Sequence, residues 1–256
     1  MKLYTKEELI AKLKEIRDKG WVCNARPGNV GGVGNTLEDL LGIKENNLPI
    51  PNAAEWELKC QRADTTSLTT LFHMEPSPRA MKFVPAVLLP LYGWKHQTIP
   101  NETSFRQTIN GLSGTDRGFK VIVDRTNRKV YISFNSKEAD ERHADWLKSV
   151  KKKVGLGELN PQPYWGFDDL FHKAGTKLLN CFYIRAEVKH EGKKECFWYK
   201  DIMILQKFSL DKFLRAIEQG LILVDFDART GHNHGTKFRL KQDKLPELYD
   251  KVMSID

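Results

Sequence analysis

Glu57 and Lys59, in the run Trp56-Glu57-Leu58-Lys59, are the residues whose types and spacing invite chemistry. Side chains alternate along a strand, so Ala54, Trp56, Leu58 and Cys60 fall on one face. Glu55, Glu57, Lys59 and Gln61 fall on the other. The pattern predicts a half-buried strand just after the proline-marked turn at Pro51, with a carboxylate beside an ammonium. A carboxylate can hold a hard cation, and an ammonium next to it can meet a phosphate. On an ordinary surface strand the same tripeptide is a weak ion pair. The neighbouring residues decide between these readings.

The elements that must position this strand are legible on both sides. Thr5-x-x-Glu8 is a capping box, and Leu9, Ile10, Leu13 and Ile16 then recur at helical spacing up to Gly20. A glycine-rich segment from Arg26 to Thr36 follows, leading into a short helix that begins at Leu37 and carries Glu38. It is no nucleotide loop: Asn35 stands where a P-loop needs lysine, and Gly32-x-Gly34 lacks the third glycine of a dinucleotide fingerprint. It suits close approach to a DNA backbone. Leu68 to Phe72 reads as a strand neighbouring the Glu57 strand. Phe119 to Asp124 and Lys129 to Phe134 form a hairpin. Lys137 to Lys153 reads as a polar helix whose Lys151-Lys152-Lys153 end is a solvated terminus. Asn160-Pro-Gln-Pro163 suggests a lobe boundary. A helix over Phe167 to Leu179, a hairpin of Cys181–Val188 with Cys196–Leu205, a helix after Ser209 stopped by Gly220, and a strand over Leu221–Phe226 complete the chain. Hairpins with interspersed helices predict an α/β or α+β protein with a mixed sheet.

Composition narrows the class. The 256 residues carry 41 Lys+Arg against 33 Asp+Glu, a net charge of +8, which suits a polyanionic partner. The opening residues have no apolar signal core, and Pro85 and Pro90 break the longest apolar stretch, so no membrane segment is expected. Cys23, Cys60, Cys181 and Cys196 form no CxxC pair, which leaves a reducing, intracellular location as the default. Met1 and the capped first helix suggest a natural start.

The ordered motifs Gly34-Asn-Thr-Leu-Glu-Asp-Leu-Leu-Gly42, Glu45-Asn-Asn-Leu-Pro-Ile-Pro51, Glu57-Leu-Lys59, Ser67 to Phe72 and His232-Asn-His-Gly-Thr-Lys-Phe-Arg239 cover most of the chain. In this order they resemble the MvaI/BcnI group of restriction endonucleases and, more distantly, the mismatch-repair nickase MutH. The resemblance implies a PD-(D/E)xK core with a mixed sheet and two lobes forming a DNA-binding cleft. Residues 1–80 would be the catalytic lobe and 81–256 mainly the recognition lobe. It further implies a cytoplasmic prokaryotic enzyme, acting as a monomer beside a cognate DNA methyltransferase. That enzyme would use Mg²⁺ to nick one strand of double-stranded DNA at a time, at a short CC-N-GG-like site.

By the same resemblance, Glu57 is a metal-binding carboxylate, Lys59 orients or deprotonates the attacking water, and Glu38 is an accessory acid. The family's second metal-ligating aspartate falls on Asn52. An amide oxygen can still ligate but carries no charge, so the chain is expected to bind DNA and cut it poorly. An inactivated variant is favoured over a natural member with altered chemistry; Glu55 is a minor candidate for the missing acid. The alternatives are a nickase that needs a partner, as MutH does, and a DNA-binding module that has lost its chemistry.

His232-Asn-His234 is not an HNH motif, whose residues are dispersed over a ββα unit. Left to composition it is a polar surface loop. By resemblance the segment enters a DNA groove, making His232, His234, Lys237 and Arg239 contacts, with Arg239 suited to bidentate reading of guanine. Arg229, Arg26 and Arg79 are further DNA-contact candidates. His73, just past a strand end, could read a central base pair, since imidazole donates or accepts. His96, His143, His172 and His190 suggest no zinc site. Trp94, Trp146, Trp165 and Trp198 read as packing residues.

Overall fold

A computed structural model describes residues 4–28, 31–43 and 56–256. In chain order the strands and helices are α1 (Lys6–Asp18), β1 (Val22–Cys23), α2 (Gly32–Leu41), β2 (Glu57–Arg62), β3 (Thr69–His73), β4 (Trp94–Lys95), β5 (Thr103–Ile109), β6 (Arg117–Asp124) and β7 (Lys129–Ala139). They continue as α3 (Ala144–Val154), β8 (Tyr164–Gly166), α4 (Phe167–Leu178), β9 (Asn180–Glu191), β10 (Lys194–Phe208), α5 (Leu210–Glu218), β11 (Ile222–Arg229), β12 (His232–Leu240) and β13 (Tyr249–Ile255).

The residues fall into two compact units built from alternating segments of chain. Unit 1 comprises Met1–Thr69, Ala174–Ser209 and Gln242–Asp256, and unit 2 comprises Thr70–Lys173 and Leu210–Lys241. The sequence reading divided the chain once, near residue 80, with a further break at Asn160–Pro163. The reason for the difference is pairing between distant segments, since β9 and β10 supply most of the sheet that receives β2.

In unit 1 the sheet order is β1-β10-β9-β2, with β13 also pairing β10. β2 runs parallel to β9, Glu57 opposite Cys181 and Lys59 opposite Tyr183, while the remaining pairs are antiparallel. The sheet is therefore mixed. α1 begins with the expected capping box, in which Thr5 and Glu8 satisfy each other's backbone N–H groups. Its Leu9, Leu13 and Ile16 pack with Val33, Leu37 and Leu41 of α2 against Trp56, Leu58, Phe182, Ile184 and Ile204. α2 starts inside the glycine run rather than after it. Gly32 sits where a Cβ would come within 2.7 Å of the Asn24 side-chain amide, so a larger residue would push that side chain aside.

Unit 2 holds a five-stranded sheet, β3-β12-β11-β5-β4, and a three-stranded one, β6-β7-β8. β3 thus neighbours β12, not β2 as its place in the sequence suggested; a short link says nothing about which sheet a strand joins. The run Val84–Tyr92 is a π-helix that accommodates Pro90. The expected polar helix shortens to α3 because β7 extends to Ala139. Gly118, at φ +77°, lets β6 pass so close to β7 that a Cβ there would meet the Asn135 carbonyl oxygen. Trp165 is fully buried and donates from Nε1 to the Met74 carbonyl at 3.0 Å, a packing role as expected. Among the described residues no helix is long and apolar enough to cross a membrane.

Candidate active site and recognition face

β2 is buried on both faces, not half-buried. Trp56 and Leu58 enter the hydrophobic cluster on one side, and on the other Glu57 is only 1% exposed and Gln61 6%. Lys59 Nζ stands 2.8 Å from Glu57 Oε1, and Lys177, from α4, stands 3.7 Å from the same oxygen. Oε2 of Glu57 has no hydrogen-bond partner among the described residues. A buried carboxylate oxygen left without a donor is costly. That geometry fits an additional cation.

The surroundings repeat the same electrostatic pattern. Burial pushes the Cys181 thiol well above its ordinary pKa, the Glu57 charge adds to this, and Lys59 opposes it. Tyr249, 3% exposed, is raised by burial and further by its neighbours Cys181 and Glu57. Glu38 lies on α2, and its charge helps burial raise the Cys60 thiol on β2. Arg26 follows β1 and pairs with Asp39 at 2.9 Å. Asn52 and Glu55 lie outside the described residues.

In unit 2, β5, β11 and β12 turn Phe105, Ile109, Val224, Phe226, Phe238 and Leu240 into the core. Strand alternation then places Arg106 and Thr108, Asp225 and Asp227, and Lys237 and Arg239 together on the opposite face. Arg106 Nε lies 2.8 Å and Lys237 Nζ 3.3 Å from Asp227; Arg239 Nη1 lies 3.3 Å from Asp225, which also accepts from Thr108 at 2.8 Å. Arg229 pairs with Glu102 at 2.7 Å. The result is a row of cations each aimed by a carboxylate, over a hollow of about 370 Å³.

His232 and His234 belong to strand β12 and its turn, not to a loop, because Arg229 pairs with His232 across the Thr230-Gly231 turn. Both are exposed, with rings 6.5 Å apart and 14° from parallel. His73 is the last residue of β3 and is exposed. A Cβ on Gly235, at φ +80°, would sit 3.4 Å from the His73 ring and 3.5 Å from Glu75. Glu75 accepts from the Thr236 backbone at 2.9 Å and its hydroxyl at 3.2 Å, fixing β12 beside β3. Arg79 opens an exposed 3-10 turn, Arg79–Met81.

The MvaI/BcnI restriction endonuclease family model matches residues 10–249. The chain belongs to that family. It therefore falls among the site-specific deoxyribonucleases. A solved structure described as "Restriction endonuclease MvaI-cognate DNA substrate complex" is 27% identical, aligns over 99% of this chain and 100% of that one, and has a TM-score of 0.77. Another, "Restriction endonuclease MvaI in the absence of DNA", is 24% identical over the whole of both chains with a TM-score of 0.57, and supports the fold alone. No curated protein sequence matches at a significant level.

In this MvaI/BcnI member, then, Glu57 and Lys59 meet in unit 1, while His73, Lys237 and Arg239 share the sheet of unit 2. The sequence reading missed Lys177, whose helix gives no local sign that it faces Glu57. It also missed Asp225 and Asp227, although their alternation opposite Lys237 and Arg239 was there to find. A second basic site escaped it as well. Arg117 lies over the Trp94 ring with Cζ 4.0 Å from the centroid, while Asp116 takes His143 at 2.7 Å and Arg142 at 3.0 Å. These line a cavity of about 880 Å³ that also includes Lys95 and Lys153.

Proposed function

We propose that this chain binds double-stranded DNA at a short CC-N-GG-like site and is built to hydrolyse its phosphodiester bonds with Mg²⁺. It acts as a monomer, one strand at a time, and Asn52 impairs the cutting. The observation that carries the reading is Glu57 Oε2, a buried carboxylate oxygen with no described donor, beside the Lys59 ammonium. Hard divalent cations take such oxygens and keep several waters. Glu57 would hold the ion, together with the residue at position 52. When bound, the ion would neutralise developing phosphate charge and acidify its water. Lys59 would then orient the attacking water and oppose charge on the phosphate, with Lys177 3.7 Å from the same Glu57 oxygen as a second cation. Glu38 would act as an accessory acid.

For recognition we assign Arg239 and Lys237 to guanine edges, and Asp225 and Asp227 as acceptors for cytosine amino groups. His73, His232 and His234 would meet base edges near the centre of the site. Arg26, Arg79 and Arg229 would bind backbone phosphate, a sequence-independent and salt-sensitive contribution. A cognate methyltransferase would protect host DNA in a prokaryotic cytoplasm.

The decisive test compares this chain with Asn52→Asp on plasmid DNA in magnesium buffer, alongside gel retardation of the same fragments. Discrete double-strand cutting by the aspartate form alone supports the endonuclease reading. Nicking that needs an added partner protein would favour a MutH-like role. Retardation by both forms with no cutting would leave a binding module and remove the catalytic roles of Glu57 and Lys59.

A further inference from the structure

Away from Glu57, three ligating side chains converge on the far edge of the unit 1 sheet. Cys23 on β1 stands directly opposite Cys196 on β10. The Asn24 N–H donates to the Glu195 carbonyl at 2.8 Å, so the ladder bond lies beyond the cysteine pair. Cys23 and Cys196 therefore form a non-hydrogen-bonded pair, the position in which facing side chains come closest. Their sulfurs are 2.8 Å apart. The Glu191 carboxylate completes the group, with all three ligand atoms within 4.8 Å of one another.

We propose that Cys23, Cys196 and Glu191 bind one thiophilic divalent cation, Zn²⁺ or its analogue Cd²⁺, bridging β1 and β10. Thiolates favour soft and borderline cations over magnesium, and two sulfurs with one carboxylate oxygen leave a fourth position for water. Tetrahedral ligands at zinc-sulfur distances sit about 3.7 Å apart. Opening the sulfurs by about 1 Å through rotation of the exposed Cys23 side chain meets that need. Lys189 hydrogen-bonds one Glu191 oxygen at 2.7 Å, leaving the other oxygen to ligate. Such an outer partner orients a ligand. Lys189 and Lys194 oppose a bound cation, but two thiolates and a carboxylate outweigh them once the thiols ionise. A thiol must give up its proton to ligate, so binding releases protons and strengthens as pH rises.

The consequence would be structural. β1 is two residues long, and Asn24 after it donates to Glu195 at 2.9 Å and accepts from the Arg26 N–H at 2.9 Å. A cation clamping Cys23 to Cys196 would fix this strand and the segment that leads to α2.

The test uses the reduced, metal-stripped protein, with Cd²⁺ as probe and the ultraviolet sulfur-to-cadmium absorption as readout. One equivalent should saturate the band, with affinity rising with pH and competed by Zn²⁺, and thermal unfolding should move upward. Cys23→Ser should abolish the band, and Glu191→Gln should weaken binding about tenfold. Cys23 is exposed, so its serine form should keep the wild-type circular dichroism spectrum. Absence of the band in the wild-type protein, or its persistence in Cys23→Ser, overturns the proposal. So does a reduced protein that takes no Cd²⁺ while the same pair closes to a disulfide once an added oxidant accepts the two electrons. None of these readouts depends on DNA cleavage.

Discussion

Lys59 Nζ lies 2.8 Å from Glu57 Oε1, two residues back along the same strand, and Glu57 is 1% exposed. The pair is thus a buried ion pair between neighbours on one strand face, with Lys177 as a more distant third member. Removing one partner leaves a buried charge that water cannot reach. Lys59→Ala should cost about 3 kcal/mol of stability, at the low end for a broken buried pair because Lys177 remains. Urea unfolding checks it; a cost below that of Lys177→Ala would show that Lys177, not Lys59, holds the carboxylate.

The same substitution should separate chemistry from binding. In the Asn52→Asp background, Lys59→Ala is expected to lower the cleavage rate by roughly 10²–10⁴-fold, the range for losing a group that handles the reacting water. Retardation of the same DNA should be unchanged. Weakened binding with unaltered single-turnover cleavage would place Lys59 on the phosphate backbone instead.

Asp225 and Arg239 are coupled at 3.3 Å on the polar face of β11 and β12. If both read one base pair, Arg239→Ala should lose about 1–3 kcal/mol of discrimination there and leave nonspecific binding nearly intact. Asp225→Asn should lose part of the same discrimination, and the double variant should be less than additive. Binding measured on single-base substituted duplexes would show this, and equal loss on every duplex would demote the pair to backbone contact.

Asp116 gives unit 2 an acid limit. Its burial favours the neutral acid, but the His143 hydrogen bond and the charges of Arg117, His143 and Arg142 outweigh it and hold the carboxyl below its usual range. A lowered folded-state pKa stabilises the fold above the ordinary aspartate value of about 4, and that stabilisation is lost as pH falls through the lowered value. Stability-pH curves of the chain and of Asp116→Asn should therefore converge below about pH 4. Parallel curves would mean the carboxylate contributes nothing.

Gly118 is required by its conformation and its surroundings together. At φ +77°, with the Asn135 carbonyl in the way of any Cβ, Gly118→Ala should destabilise by at least about 2 kcal/mol. Thermal unfolding measures it, and a change under about 0.5 kcal/mol, the size of an ordinary surface substitution, would contradict the close approach of β6 to β7.

Local signals in this chain were readable from residue types alone. The Thr5 capping box, the α4 helix, the β9–β10 hairpin and the Gly220 stop all rest on neighbours a few residues apart. Glu57 and Lys59 were readable for the same reason, since strand alternation puts them side by side. Long-range placement was not. Nothing near Leu68–Phe72 says that β3 joins β12, and nothing near Lys177 says that it faces Glu57. The burial of both faces of β2 also had no local mark, because Glu57, Lys59 and Gln61 look like a solvated face until α4 and β13 are in place. Cys23 and Cys196 looked scattered because pairing between β1 and β10 is invisible to spacing.

The parallel pairing of β2 with β9 has a consequence for the order in which the protein is made. A chain emerging N-terminus first presents Glu57 and Lys59 early, but Cys181 and Tyr183, their ladder partners, come only after most of unit 2 has been synthesised. At the pace of translation the strand waits unpaired for several seconds or more. Its carboxylate is then an ordinary solvated acid with no buried oxygen to offer a metal. The nascent protein would therefore bury the carboxylate proposed to hold the metal only after residue 183 has been made.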